Sequence, residues 1–194
     1  METAVQAQTG ARERILTSSY DLFLARGVRA VGVNEIIAAA GVAKASFYSH
    51  FPSKDDLVLA FFERRESVFT VGYLTAESQR RADTPRDQLM AIFEIFDEWF
   101  HTPGFTGCPY IRALLENGPG QPLGAASLAY IEETRTNVRD AATLMGLTDP
   151  DDFAYCWLVI LQGAIVSGVG IDPDSAARIR TLGEMLISLH TPAL

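Results

Sequence analysis

The stretch from Val33 to Lys54, V-N-E-I-I-A-A-A-G-V-A-K-A-S-F-Y-S-H-F-P-S-K, constrains the fold of this chain more than any other. From Asn34 to Ala40 the residues Ile36, Ile37 and Ala40 recur at helical spacing and predict one buried face. Gly41 supplies the backbone freedom that a sharp helix-to-helix turn needs, and Val42 can fill the angle between the two helices. A second helix, roughly Lys44 to His50, turns Phe47 and Phe51 inward, one turn apart. Lys44, Ala45, Ser46, Tyr48 and Ser49 are then left facing outward. Such a small, hydroxylated and basic face suits a DNA major groove, where bulk would prevent close approach. Pro52, Ser53 and Lys54 end that helix and start the next, with Ser53 as N-cap and Asp55 and Asp56 in its first turn. The pattern is a helix-turn-helix.

The order of residues over about 10–58, from A-R-E-R-I-L-T-S-S-Y-D-L-F-L-A-R-G to S-H-F-P-S-K-D-D-L, resembles the DNA-binding domain of the tetracycline-repressor (TetR) family of bacterial transcription regulators. Its most specific part is G-V-A-K-A-S-F-Y-S-H-F-P-S-K. The resemblance implies that Lys44, Ala45, Ser46, Tyr48 and Ser49 lie on a recognition helix, with His50 and Lys54 near the phosphate backbone. Three positions depart from the usual pattern. Gly32 stands where a Thr commonly caps the second helix, Ala43 replaces a frequent Ser or Thr cap, and Ala45 replaces a frequent Gly. Ala43 offers no side-chain acceptor, which costs the recognition helix roughly 1 kcal/mol of capping. The segment G-C-P-Y-I-R-A-L-L-E at 107–116 resembles a stretch of one subgroup of these regulators.

The formal net charge of −8 argues against a DNA partner until it is divided along the chain. Residues 1–66 hold eight Lys/Arg and eight Asp/Glu, whereas residues 67–194 hold eight and sixteen, so the excess acid lies wholly in the second part. Arg12, Arg14, Arg29, Lys44 and Lys54 are available for phosphates in the first. Two cysteines, Cys108 and Cys156, are too few for a disulfide framework, and no metal-ligand spacing joins them to a histidine. Cys108 reads as a small buried hydrophobe before a redox thiol. The opening M-E-T-A-V-Q-A-Q-T lacks the basic and apolar regions of a signal peptide and reads as a short flexible arm. Phe153 to Ile171 is largely apolar, but Gln162 and Ser167 interrupt it and only acidic residues flank it. It reads as a buried or interface helix, not a membrane span. A cytoplasmic protein is expected.

The rest of the chain reads as helix: about Arg12–Arg26, one long amphipathic run from Ser53 to about Arg81, then Arg86–His101, Tyr110–Glu116, Leu123–Met145, Asp151–Gly170 and Ser175–His190. Pro and Gly clusters such as N-G-P-G-Q-P at 117–122 separate them. The expected fold is all-α with about nine helices. A three-helix helix-turn-helix domain at 10–52 precedes a helical ligand-binding and dimerisation domain at 53–190.

Large aromatics are dense between residues 60 and 135, and most belong in a core. In the TetR family this region encloses a ligand cavity, so the resemblance implies an apolar pocket around Phe69, Phe93, Phe96, Trp99, Phe100, Tyr110 and Tyr130. Glu94, Asp97, Arg112 and Glu116 are its candidate polar groups. The penultimate helix carries an apolar stripe wider than one covering helix needs. The resemblance implies a two-fold dimer through a four-helix bundle, with Trp157, Ile160, Ala164, Ser167, Gly168, Leu182 and Leu186 at the interface. Glu98-x-x-His101 is a single copy of a spacing that di-iron bundles need twice, so no metal site is expected. No P-loop, dinucleotide fingerprint, nucleophile elbow or zinc signature is present, and neither enzymatic activity nor a cofactor is expected. The expected protein is a homodimeric regulator, most simply a repressor, that binds a palindromic DNA operator and is released by a small apolar or aromatic effector. The alternative is a helical small-molecule-binding protein that has lost operator binding.

Overall fold

The structure is a computed structural model that describes residues 10–193. The expected N-terminal arm, residues 1–9, lies outside the described residues. The helices are α1 (Ala11–Arg26), α2 (Val33–Ala40), α3 (Lys44–His50), α4 (Lys54–Arg65), a π-helical segment π1 (Glu66–Thr75), α5 (Ala76–Arg81), α6 (Pro85–Phe100), α7 (Pro109–Asn117), α8 (Pro122–Leu144), α9 (Pro150–Gly168) and α10 (Ser175–His190). No strand occurs among the described residues, and no helix there is long and apolar enough to cross a membrane.

Most ends fall where the capping chemistry places them. Thr84 accepts a hydrogen bond from the Asp87 amide at 3.1 Å, and Pro85 opens α6. Asp149 does the same for α9 through the Asp152 amide. The long run expected from Ser53 to Arg81 is instead divided into α4, π1 and α5. The middle segment carries Val68, Thr70, Val71 and Thr75 with Gly72 among them, residues that hold α-helical geometry poorly. The Thr75 hydroxyl donates to the Thr70 carbonyl five residues back, in step with the wider π turn.

The chain divides into two compact units, one of residues 1–65 and 109–128 and one of residues 66–108 and 129–194. In the first, Ile15, Phe23, Val31, Ile36, Phe47, Leu57, Val58, Phe61 and Phe62 form an apolar centre that water barely reaches. The Phe61 ring meets Phe23 edge-on at 5.4 Å and Tyr20 at 5.3 Å. Arg64 ties α4 to α1 by donating to Glu13 at 2.5 Å and to Thr17 at 3.1 Å. The amphipathic α7 joins this unit through Tyr110. Its ring lies 5.2 Å from Phe62 and its hydroxyl donates to the Phe62 carbonyl at 3.1 Å. Tyr110, expected to line a ligand pocket of the body, is thus a buried core residue of the other unit.

The second unit is built around Trp157. Its indole is wholly buried, stacked on Phe153 at 5.4 Å and inclined to Phe93 at 5.2 Å. Gly183 of α10 allows this packing: a Cβ at that position would lie 2.5 Å from the Phe93 ring and 3.2 Å from Trp157. Two expected interface residues, Trp157 and Ala164, therefore belong to the unit's own core, and so does the expected pocket residue Phe93. Gly168 sits against the Phe100 ring. The broad stripe on α9 is wide because one part of it faces α6 and α10 inside the unit. At the edge of the unit, Arg81 of α5 grips the Glu98 carboxylate of α6 through both oxygens, at 2.9 and 2.7 Å, and reaches Glu77 at 2.9 Å.

Two outcomes follow from these contacts. Gly183→Ala forces a methyl into the Phe93 ring and should lower unfolding stability by about 1–3 kcal/mol in urea titration. The Arg80 and Arg81 guanidiniums pull the Glu77 carboxyl down from about 4.5 to about 2. Because the folded value is depressed, the stabilisation is present above the ordinary value and lost as pH falls toward the folded one. Glu77→Gln should therefore flatten the fall in melting temperature across that acidic window.

Candidate functional site

The turn between α2 and α3 sets the geometry of the candidate DNA-binding face. Gly41 adopts φ 61° and ψ 41°, the left-handed region that glycine enters without a side-chain clash. Its amide and that of Val42 donate back to the last turn of α2 at 3.2 and 3.3 Å. Arg14 Nε donates to the Ala40 carbonyl at 3.3 Å and so occupies another acceptor at that helix end. This cation, expected to be available for phosphates, is committed at least in part to the fold.

Helix α3 is seven residues long and is held by aromatic burial on one side. Phe47 is wholly buried and Phe51 nearly so, their rings 6.2 Å apart. Lys44, Ala45, Tyr48, Ser49 and His50 are exposed, Tyr48 by 44%, and Ser46 is half-buried. The Ser49 hydroxyl folds back onto the Ser46 carbonyl at 2.8 Å, leaving its acceptor lone pairs outward. Ala43 takes the N-cap position and makes no side-chain cap hydrogen bond, as its chemistry requires. Beyond the helix, Ser53 and Asp56 form a reciprocal cap. The Ser53 amide and hydroxyl donate to the Asp56 carboxylate at 2.9 and 2.6 Å, and the Asp56 amide donates to Ser53 Oγ at 3.1 Å.

Several cations lie in the same unit. The Arg12 guanidinium lies 5.2 Å over the Phe51 ring, a stacking contact that orients it. Arg29 and Lys54 share a cleft of about 350 Å³ with Val28, Asp55, Glu116, Asn117 and Leu123. Partial burial there lowers the Lys54 ammonium from its usual value, while Asp55 and Glu116 act in the opposite sense. The expected polar pocket residue Glu116 thus belongs to this cleft in the first unit. Arg26 is paired with Glu35 and also donates to the Ala30 carbonyl at 3.2 Å.

The second unit holds an aromatic cluster at the end of α6. Trp99 lies 4.7 Å from Phe69, 5.5 Å from Phe96 and 4.9 Å from Phe105, and Phe100 lies 4.8 Å from Phe105. Phe69, Phe96, Trp99 and Phe100 are thereby brought together, with Phe105 as a member the expected pocket set omitted. Tyr130 is half-buried on α8.

On the outer faces of α9 and α10, large apolar side chains meet solvent: Tyr155, Val159 and Val166 on one helix, Leu182, Met185 and Leu189 on the other. The first three recur at i, i+4 and i+11, with Gly163 between them, and the second three at i, i+3 and i+7. Of the expected interface residues, Leu182 lies on this surface, and Ile160, Ser167, Gly168 and Leu186 are half-buried. Sequence reasoning missed Tyr155, Val159, Val166 and Met185, because a second, outward stripe on α9 merges with the core stripe in a helix that is apolar nearly all round.

A buried-faced helix-turn-helix carrying a small polar outer surface, within an all-helical chain, defines the class of helical DNA-binding regulators. Residues 15–61 match the profile of the family described as bacterial regulatory proteins, tetR family. The chain is 34% identical over 85 residues to the HTH-type transcriptional activator FasR of Mycolicibacterium smegmatis, an alignment covering 44% of this chain and 38% of that protein. It is 32% identical over 106 residues to the HTH-type transcriptional repressor NemR of Escherichia coli K12, covering 54% and 53%. The aligned part is thus about half or less of each of these relatives. A TetR-family transcriptional regulator of Streptomyces coelicolor superimposes with a TM-score of 0.84 at 25% identity, over 94% of this chain and 96% of that one. Residues 15–61 thus carry the helix-turn-helix of the tetR family of bacterial regulatory proteins, and the chain shares the fold of a TetR-family regulator.

The uncapped start of α3 gives a direct test of the local reading. Ala43→Ser supplies the missing acceptor and should raise stability by about 0.5–2 kcal/mol in denaturant titration.

Proposed function

We propose that this chain is a homodimeric transcriptional regulator, a repressor, that binds a palindromic operator and is released by an apolar or aromatic small molecule. The observation that carries the reading is the two-sidedness of α3, with Phe47 wholly buried and Lys44, Tyr48, Ser49 and His50 exposed. A surface of that size and chemistry fits a major groove. Lys44, Ser46, Tyr48 and Ser49 are placed to meet base edges or adjacent phosphates, Ala45 gives close approach to the groove, and His50 and Lys54 serve phosphates. Two such helices would enter successive major grooves about 34–36 Å apart. The protein acts in the cytoplasm.

The dimer reading rests on the solvent-facing stripes of α9 and α10. Met185 at 62% and Leu189 at 77% exposure leave more apolar surface in water than a solitary helix pair needs. A second copy packed by two-fold symmetry covers the same residues on both sides. The effector reading rests on the cluster of Phe69, Phe96, Trp99 and Phe100, which offers aromatic faces to an apolar guest, with Tyr130 carried over from the family resemblance alone. Such a guest shifts operator affinity only if it binds the DNA-competent and DNA-released states unequally.

The test is fluorescence anisotropy with DNA from immediately upstream of the chain's own gene, over a salt series. Tight, sequence-selective binding that weakens steeply with salt is expected. Lys44→Ala should weaken it and reduce the salt slope by about 1, and Tyr48→Phe should weaken it while leaving the oligomeric state unchanged. Parental affinity in both variants would remove α3 from the interface. Selective binding with no response to a broad panel of apolar and aromatic compounds would remove the effector. In sedimentation, Met185→Asp should convert the dimer to a monomer with the helical content retained.

A further inference from the structure

We propose that His101 is a proton-operated clamp between α6 and α10, closed when its imidazole carries both ring protons and open when it loses one. His101 is the residue that ends α6. Its Nδ1 lies 2.7 Å from the Asp97 carbonyl oxygen. That oxygen can only accept, so Nδ1 bears a proton there. Its Nε2 lies 3.2 Å from Asp174 Oδ1, and an ionised carboxylate also can only accept. A neutral imidazole has one N–H and therefore cannot serve both partners. One contact would set lone pair against lone pair, whereas the imidazolium satisfies the two together.

The surroundings favour the charged form. His101 stands at the carbonyl end of α6, where the helix dipole favours a cation. Asp97 Oδ1, buried and without a hydrogen bond, is 3.9 Å from Nδ1. Asp174 occupies the N-cap of α10, where a carboxylate ordinarily accepts from its own helix. Here it makes no such bond and faces His101 instead. The other nearby charges are engaged elsewhere: Asp172 with Arg178 at 2.5 Å, and Glu94 and Glu98 with Arg81. The final residues of α9, 163–168, contribute no titratable side chain.

The hydrogen bond to the Asp97 carbonyl, followed by the Asp97 and Asp174 carboxylates, raises His101 above its usual value near 6.5. With the folded value raised, the clamp is fully closed below the ordinary value and opens as pH rises through the folded one. The clamp fixes the first turn of α10, the helix that carries Leu182, Met185 and Leu189. On the dimer reading given above, dimerisation is therefore linked to proton uptake.

The experiment is an NMR titration of the three histidines of the full chain, with His101→Gln for assignment, alongside sedimentation from about pH 6 to about pH 9. His101 should titrate above its usual value, and Asp174→Asn, which keeps an N-capping side chain, should shift it downward. The dimer dissociation constant should rise several-fold with pH in the parent and less in Asp174→Asn. An ordinary His101 titration, or the same titration in parent and Asp174→Asn, overturns the clamp. Loss of the pH dependence on adding EDTA also overturns it, because a bound cation would then be the bridging charge. A chain that is monomeric at every pH, with the His101 titration as expected, supports the clamp and overturns only the dimer reading.

Discussion

The burial of one aromatic ring on one short helix governs which side chains the helix-turn-helix of this chain presents outward. Seven residues are too few to form a stable helix alone, because nucleation is costly and few hydrogen bonds repay it. The position and rotation of α3 are therefore set from outside, by Phe47 buried in the apolar centre of the first unit and by Phe51 one turn later. Once those rings are buried, the 3.6-residue period decides everything else: positions 44, 45, 48 and 49 must point to solvent. The absent N-cap at Ala43 matters less than propensity suggests, since tertiary burial carries the helix.

Much of this was legible in sequence because the signals are local. The bounds of α3 fell where expected, since Gly41 before it and Pro52 after it interrupt the helical path. The last helix fell equally well, because Asp172-Pro173-Asp174 marks its start. The run from Ser53 to Arg81 was less legible. Its polar and apolar spacing is consistent with a helix throughout, and periodicity does not separate an α turn from a π turn over ten residues. Only the concentration of β-branched residues around Gly72 hinted at it.

The body shows a different limit, one of partners. Apolar residues on α9 divide into an inner set, Phe153, Trp157, Leu161 and Ala164, and an outer set, Tyr155, Val159 and Val166. The two sets interleave along the helix at the same period, so the pattern alone reports a single wide stripe. Size does not separate them either, as the largest residue, Trp157, faces inward, where Gly183 makes room for it. Tyr110 illustrates the same point from another side. Nothing in P-Y-I-R-A-L-L-E tells which compact unit its ring joins, because that depends on a distant carbonyl at Phe62.

The small recognition face and the large apolar surface on α9 and α10 make sense together. A good bidentate base contact discriminates by about 1–3 kcal/mol, and a face as short as that of α3 offers few of them. One copy therefore cannot distinguish an operator from the vast excess of competing genomic sites. In the dimer proposed above, two copies fixed by symmetry would read two half-sites at once, so their discrimination would add while the orientational cost of docking fell on a single association. The acidic excess of residues 67–194 acts in the same direction. On the proposed DNA-binding reading it would oppose indiscriminate attraction to phosphate, leaving Arg12, Lys44 and their neighbours to engage DNA only where the groove chemistry also fits. In such a regulator, specificity depends on whatever holds the two copies in register. A proton at His101 that steadies α10 would thus act on DNA selectivity without touching DNA.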